Sequence, residues 1–99
     1  MIRNVVLVKL KAGCDAAEVA AIQDGLRNLN CAGTVSYTVG DDLKLREGSW
    51  SFAIVADFED EDSYRGYERD TAHNQLRVRL APLAEQVARA QFELPGERA

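Results

Sequence analysis

The chain is poor in the residues that most often announce a chemistry: among 99 residues it has one histidine, His73, two cysteines, two prolines and no long apolar run. Two cysteines cannot build a disulfide scaffold. Cys14 and Cys31 flank a predicted helix of about 15 residues, which at ~1.5 Å per residue holds them more than about 20 Å apart, beyond the ~7 Å reach of a disulfide. Two free thiols are expected, and neither stands in a CxxC pair. The longest apolar runs, such as "VVLV", fall far short of the ~20 residues that cross a bilayer. Met1 leads directly into a strand-like segment rather than a signal peptide, so the cytoplasm is the expected location, with no membrane partner. A net charge of −4 without a basic, aromatic-interleaved face excludes the electrostatic footprint of a nucleic-acid binder. Acidic residues do cluster, at Asp41 and Asp42 and in "EDED" at 59–62, but without the spacing of a calcium loop. They read as a solvated face, and neither a metal nor another cofactor is expected.

What is present suits one globular domain, with 46% hydrophobic and 28% charged residues. A chain of this length buries roughly 60 to 70% of the surface it exposes when unfolded. "MIRNVVLVKL" carries apolar residues in both alternating sets, the mark of a strand covered on both faces. Asp15 and Glu18 resemble a capping box, and Val19, Ile22, Leu26 and Leu29 then recur at helical spacing to about Asn30. "TVSYTVG" and "WSFAIVADF" read as two further strands, separated by the polar loop "DDLKLREGS". "DEDSYRGYE" opens a second helix with acids in its first turn, where the macrodipole favours them. A break is expected at Asp70 and Thr71, two residues that compete with helix interiors. Helical spacing resumes at His73, Leu76, Leu80 and Leu83, and "EQVARAQFEL" supplies a last strand. The domain should span 1–94, with a solvated tail at 95–99.

The order β-α-β-β-α-β is the split βαβ pattern of ferredoxin-like α+β folds. Two helices of ~10 Å diameter cover one face of a four-stranded sheet about 19 Å wide at ~4.8 Å per strand, but not both. The second apolar face therefore predicts a homodimer, sheet against sheet.

"MIRNVVLVKLKAG" resembles the first-strand signature of the Dabb family, the stress-responsive dimeric α/β barrel proteins, and "YERDTAH" with "LAPLAEQV" resembles its second-helix region. The resemblance covers residues 1–94 and extends more distantly to olivetolic acid cyclase. It implies two sheets closed into a barrel with helices outside, an intra-barrel cavity, and either a small-molecule ligand or no ligand at all. In the cyclase a Tyr and a His carry aldol chemistry in a Tyr-x-x-His-Pro-x-His pattern, whose first and last positions match Tyr67 and His73. Asp70 and Thr71 replace the pattern's His-Pro, Asn4 stands where the first strand often has His, and Phe52 replaces another cavity His.

The resemblance turns Asn4, Val6, Val8 and Leu10 into the barrel, with Phe52 and Ile54 from the third strand and Val87, Arg89 and Gln91 from the fourth. Val5, Leu7 and Val55 would then meet the helices. His73 is the candidate general base and Tyr67 the candidate donor to a carbonyl oxygen. Their plainer readings are a helix start and an aromatic at the core's rim, the latter preferred for Tyr64. An inward Arg89 needs a carboxylate or an anionic ligand, and one residue of register would turn it outside. Two functions stay open. One is a homodimer binding a small, partly apolar, oxygen-rich compound, with or without cyclase- or lyase-like proton transfer. The other is a non-catalytic stress or assembly module with a filled core.

Overall fold

The computed structural model describes residues 1–95. The chain runs β1 (Ile2–Leu10), α1 (Ala16–Arg27), β2 (Thr34–Asp41), β3 (Phe52–Phe58), α2 (Glu61–Arg69), α3 (Thr71–Leu80) and β4 (Ala84–Glu93). A 3-10 turn at Ala81–Leu83, with Pro82 in it, leads into β4. Beyond Pro95, the tail expected at 95–99 lies outside the described residues. The strands form one antiparallel sheet in the order β2-β3-β1-β4, which is the ferredoxin-like α+β arrangement. Among the described residues no helix is long and apolar enough to cross a membrane.

Short polar side chains decide where the helices begin. Asp15 accepts from the Ala17 backbone N–H at 2.9 Å, satisfying one of the donors that a helix start leaves free. Glu18 does not complete a capping box. Its carboxylate instead takes two N–H bonds from Arg79, at 2.8 and 3.0 Å, and ties α1 to α3. Asp60 accepts from the Ser63 N–H at 2.9 Å and starts α2. Asp70 ends α2 and starts α3, accepting from the His73 N–H at 2.9 Å. The expected break is therefore a junction built by one residue. Cys14 and Cys31 are free thiols.

The register places Ile54 and Arg89 opposite Val6, Phe52 and Val87 opposite Val8, and Ala56 and Gln91 opposite Asn4. These residues share the face on which the helices pack, although Val87, Arg89 and Gln91, on the edge strand β4, stay exposed. Val6, Val8, Phe52 and Ile54 form one core with Val19, Ile22, Leu26, Leu76 and Leu80. The expectation that Asn4, Val6, Val8, Phe52, Ile54, Val87 and Arg89 turn away from the helices is thus reversed. So is the expectation that Val5, Leu7 and Val55 meet them. The physical reason lies at the ends of the strand. The Val5 and Leu7 set also contains Arg3 and Lys9, whereas Asn4, Val6, Val8 and Leu10 carry no charge. The chain puts the uncharged set under its own helices, because burying an unpaired charge costs far more than exposing a Val or a Leu. On the open face Arg3 donates two bonds to Asp57, at 2.8 and 2.9 Å, and Ser36 donates to the same carboxylate at 3.1 Å. Leu7 remains 43% exposed there.

Candidate functional site

Between the helices and the sheet lies a cavity of about 600 Å³, within the ordinary range for small-molecule sites. It belongs to one chain and opens beneath that chain's own helices, so it is not the intra-barrel space between two sheets. Its walls are Val6 and Ile54 from the sheet, Ile22 and Leu26 from α1, and Leu76 and Leu80 from α3. Its polar points are Asn4, Tyr64, Tyr67, Glu68, His73, Asn74, Arg77 and Arg89. Of the residues singled out in the sequence, the fold brings Asn4, Val6, Ile54, Tyr67, His73, Val87 and Arg89 to this lining. Val8 and Phe52, 0% and 2% exposed, are packed into the core instead.

His73 is 7% exposed and held on two sides. Its Nδ1 stands 3.0 Å from the backbone carbonyl oxygen of Tyr67. A carbonyl only accepts, so Nδ1 carries the proton and Nε2 carries the lone pair. The ring stacks on that of Tyr67, with centroids 3.9 Å apart and planes 23° apart. Nε2 makes no hydrogen bond among the described residues, where no buried side-chain nitrogen or oxygen lacks a partner. It is therefore not fully buried, and its residue lines the cavity. Burial holds the imidazole below its ordinary pKa, and Arg77 and Arg89 push it further down, against the bond to Tyr67 and the charge of Asp70. The ring is neutral at neutral pH, the state a general base needs.

Tyr67 does its visible work through other residues. Its hydroxyl lies 2.7 Å from that of Tyr37 on β2, and the two rings meet edge to face. Burial raises both phenols, Tyr37 to about 12 and Tyr67 higher still. Both stay protonated at neutral pH, and Tyr67 is fixed at its carbonyl, its ring and its hydroxyl. Tyr64 is half buried at the rim, beside Phe58 and Tyr67.

Tyr37 was not singled out by sequence reasoning. The only signal was its place in the alternation of β2, on the same side as Val39 and opposite Ala56. Asn4 accepts from the Gln91 amide at 2.8 Å, which leaves its own NH₂ to donate. The acidic residues have local tasks: Asp41 accepts from Gln23, Asp42 from the Lys44 N–H, and Asp60 caps α2.

A four-stranded antiparallel sheet roofed by helices, with a cavity beneath the roof, places the chain among ferredoxin-like α+β domains. Over residues 2–94 it matches the Dabb family, the Stress responsive A/B Barrel Domain, and it belongs to that family. A dimeric ferredoxin-like protein of unknown function from Thermobifida fusca YX has the same fold at 29% identity, with a TM-score of 0.86 over 94% of this chain and 90% of that one. A Dabb family protein from Mesorhizobium loti MAFF303099 aligns at 19% identity and a TM-score of 0.74, covering 96% and 97% of the two chains. The hydroxynitrile lyase of Passiflora edulis aligns at 13% identity and a TM-score of 0.84, covering 99% and 96%. At those two identities the likeness is one of fold alone. No curated protein matches the chain in sequence.

Proposed function

We propose that the chain works as a homodimer, joined through the open sheet face, and that each subunit binds a small, partly apolar, oxygen-rich ligand beneath its helices. His73 then moves a proton next to a carbonyl of that ligand. The observation that carries this reading is the state of His73: neutral, clamped by Tyr67, with an Nε2 that has no partner among the described residues, in the lining of a cavity of about 600 Å³. Nε2 takes a proton from the carbon beside the carbonyl, and the electrons of that C–H bond pass into the enolate. The Asn4 amide is a donor for the oxygen where the charge gathers. The imidazolium later returns the proton. Tyr67 serves as the clamp that fixes the base, a role different from the oxygen donor expected from sequence.

The homodimer is supported by the apolar, helix-free face and by dimeric relatives such as the Thermobifida fusca protein. The fold carries an activity in the Passiflora hydroxynitrile lyase, though likeness at that identity does not transfer the reaction. An unfilled cavity also speaks against the alternative of an assembly module with a packed interior.

The test is deuterium uptake at the α-carbon of an aryl ketone such as acetophenone, followed by NMR in D₂O. The protein should accelerate exchange, and His73→Ala should lose about 10²- to 10⁴-fold of that acceleration while remaining folded. Equal exchange with the two proteins would remove His73 from any such chemistry.

A further inference from the structure

Resting on the reading of the cavity as a ligand site, we infer that its ligand is a carboxylic acid, held through its carboxylate by Arg77 and Arg89. Four of the eight arginines among the described residues have a carboxylate partner. Arg3, Arg27, Arg65 and Arg79 approach Asp57, Asp24, Glu61 and Glu18 at 2.8, 3.1, 2.9 and 2.8 Å. The two arginines that line the cavity do not. Arg77 donates only to the neutral amide oxygen of Asn74, at 3.2 Å. Arg89 makes no hydrogen bond or ion pair among the described residues. The acid in the lining, Glu68, faces Arg65 at 3.7 Å.

A guanidinium keeps its charge whatever its surroundings. Two of them at a largely apolar cavity, in a chain of net charge −4, make a local positive field that the overall balance does not provide. Arg77 lies one turn beyond His73 on α3, and Arg89 stands opposite Val6 on β4, so the charges come from the roof and the floor of the same cavity. The charge of each opposes protonation of His73. The planar fork of an arginine matches a carboxylate in two parallel N–H bonds. Held there, an aromatic or β-keto acid would lay its apolar part against Ile22, Leu26 and Leu76. The positive charges would also favour an enolate forming near His73, because its charge has the opposite sign.

The experiment uses benzoate and benzamide, alike in shape and different in charge. His73 is the sole histidine, so its ring proton resonances report on the cavity without ambiguity. Each probe is titrated into the full-length protein at low salt, and its affinity is read from those resonances. Benzoate should bind about tenfold or more tighter than benzamide, as expected of a charge-assisted pair. Arg77→Gln and Arg89→Gln should each weaken benzoate several-fold, and the double variant should bind both probes equally. Circular dichroism and thermal unfolding like those of the wild type will show that the probe-free variants remain folded. If benzamide binds as tightly as benzoate, or if the double variant keeps the preference, the acid is wrong and the ligand cavity stands. If neither probe perturbs His73, the cavity reading fails and the inference falls with it.

Discussion

The Nδ1 atom of His73 and the backbone carbonyl oxygen of Tyr67 stand 3.0 Å apart across the junction of α2 and α3. At that junction helix α2 cannot continue. Asp70 is extended there (φ −64°, ψ 129°), and its carboxylate turns back to cap α3. A continuous helix would commit the Tyr67 carbonyl to the N–H four residues on. The break leaves it with the Asp70 N–H at 3.2 Å and a second lone pair on which it holds the imidazole. One aspartate thus produces a helix start and the tautomer of the candidate base together.

Asp70→Ala should therefore weaken two things at once. Loss of the cap should cost about 0.5 to 2 kcal/mol of stability, measured by urea denaturation. The His73 ring resonances should also broaden or shift as its mooring loosens. Asp70→Asn keeps an accepting oxygen and should restore most of both. A stable Asp70→Ala protein with unchanged His73 signals would show that the junction is held elsewhere.

The burial of His73 gives stability a pH dependence with a definite sign. Its folded pKa lies below the ordinary 6.5, so the unfolded chain binds the proton more readily. The contribution is fully present above about 6.5 and is lost as pH falls from there through the lower folded value. Glu18, Asp57 and Asp60 are also held low in the folded state, but from ordinary values of 4.5, 3.8 and 3.8. Their losses come in more acid solution. The unfolding temperature of the wild type should begin to decline as pH falls below about 6.5, and His73→Phe should flatten that part of the profile.

Tyr37 and Tyr67 should behave as a coupled pair. Removing one hydroxyl leaves the other buried without its 2.7 Å partner, which costs about 1 to 3 kcal/mol. Removing both leaves nothing unpaired. The double Phe variant should therefore be less destabilised than the sum of the two single variants. Simple additivity in denaturation curves would deny the bond any energetic role.

The reversed sheet faces predict different fates for two aspartate substitutions. Phe52 is 2% exposed beneath the helices, so Phe52→Asp should unfold the subunit itself. Leu7 lies on the open face. Leu7→Asp should leave a folded subunit but separate the proposed dimer, since an unpaired carboxylate at a sheet interface costs several kcal/mol. Sedimentation with circular dichroism distinguishes the two. A folded Phe52→Asp monomer would return Phe52 to the interface.

Local chemistry made much of this protein legible in advance. Alternation in "VVLVKL" and "FAIVADF", the Asp15 start, and the Asp70 and Thr71 pair gave the element order and the break, because each depends on residues within about a turn or a few strand positions. The family resemblance pointed to Tyr67 and His73. Which face the helices cover depended on more. Alternation of period two divides a strand into two sets without saying which is covered, and here both sets are apolar. Only the packed chain showed Val6 and Ile54 under α1, and Leu7 open. Glu18 reaches Arg79 61 residues away, Tyr37 reaches Tyr67 30 residues away, and Arg89 comes into the cavity lined by His73. No local preference encodes such contacts. They exist because the chain's crossings bring separate elements together, and that geometry belongs to the tertiary structure.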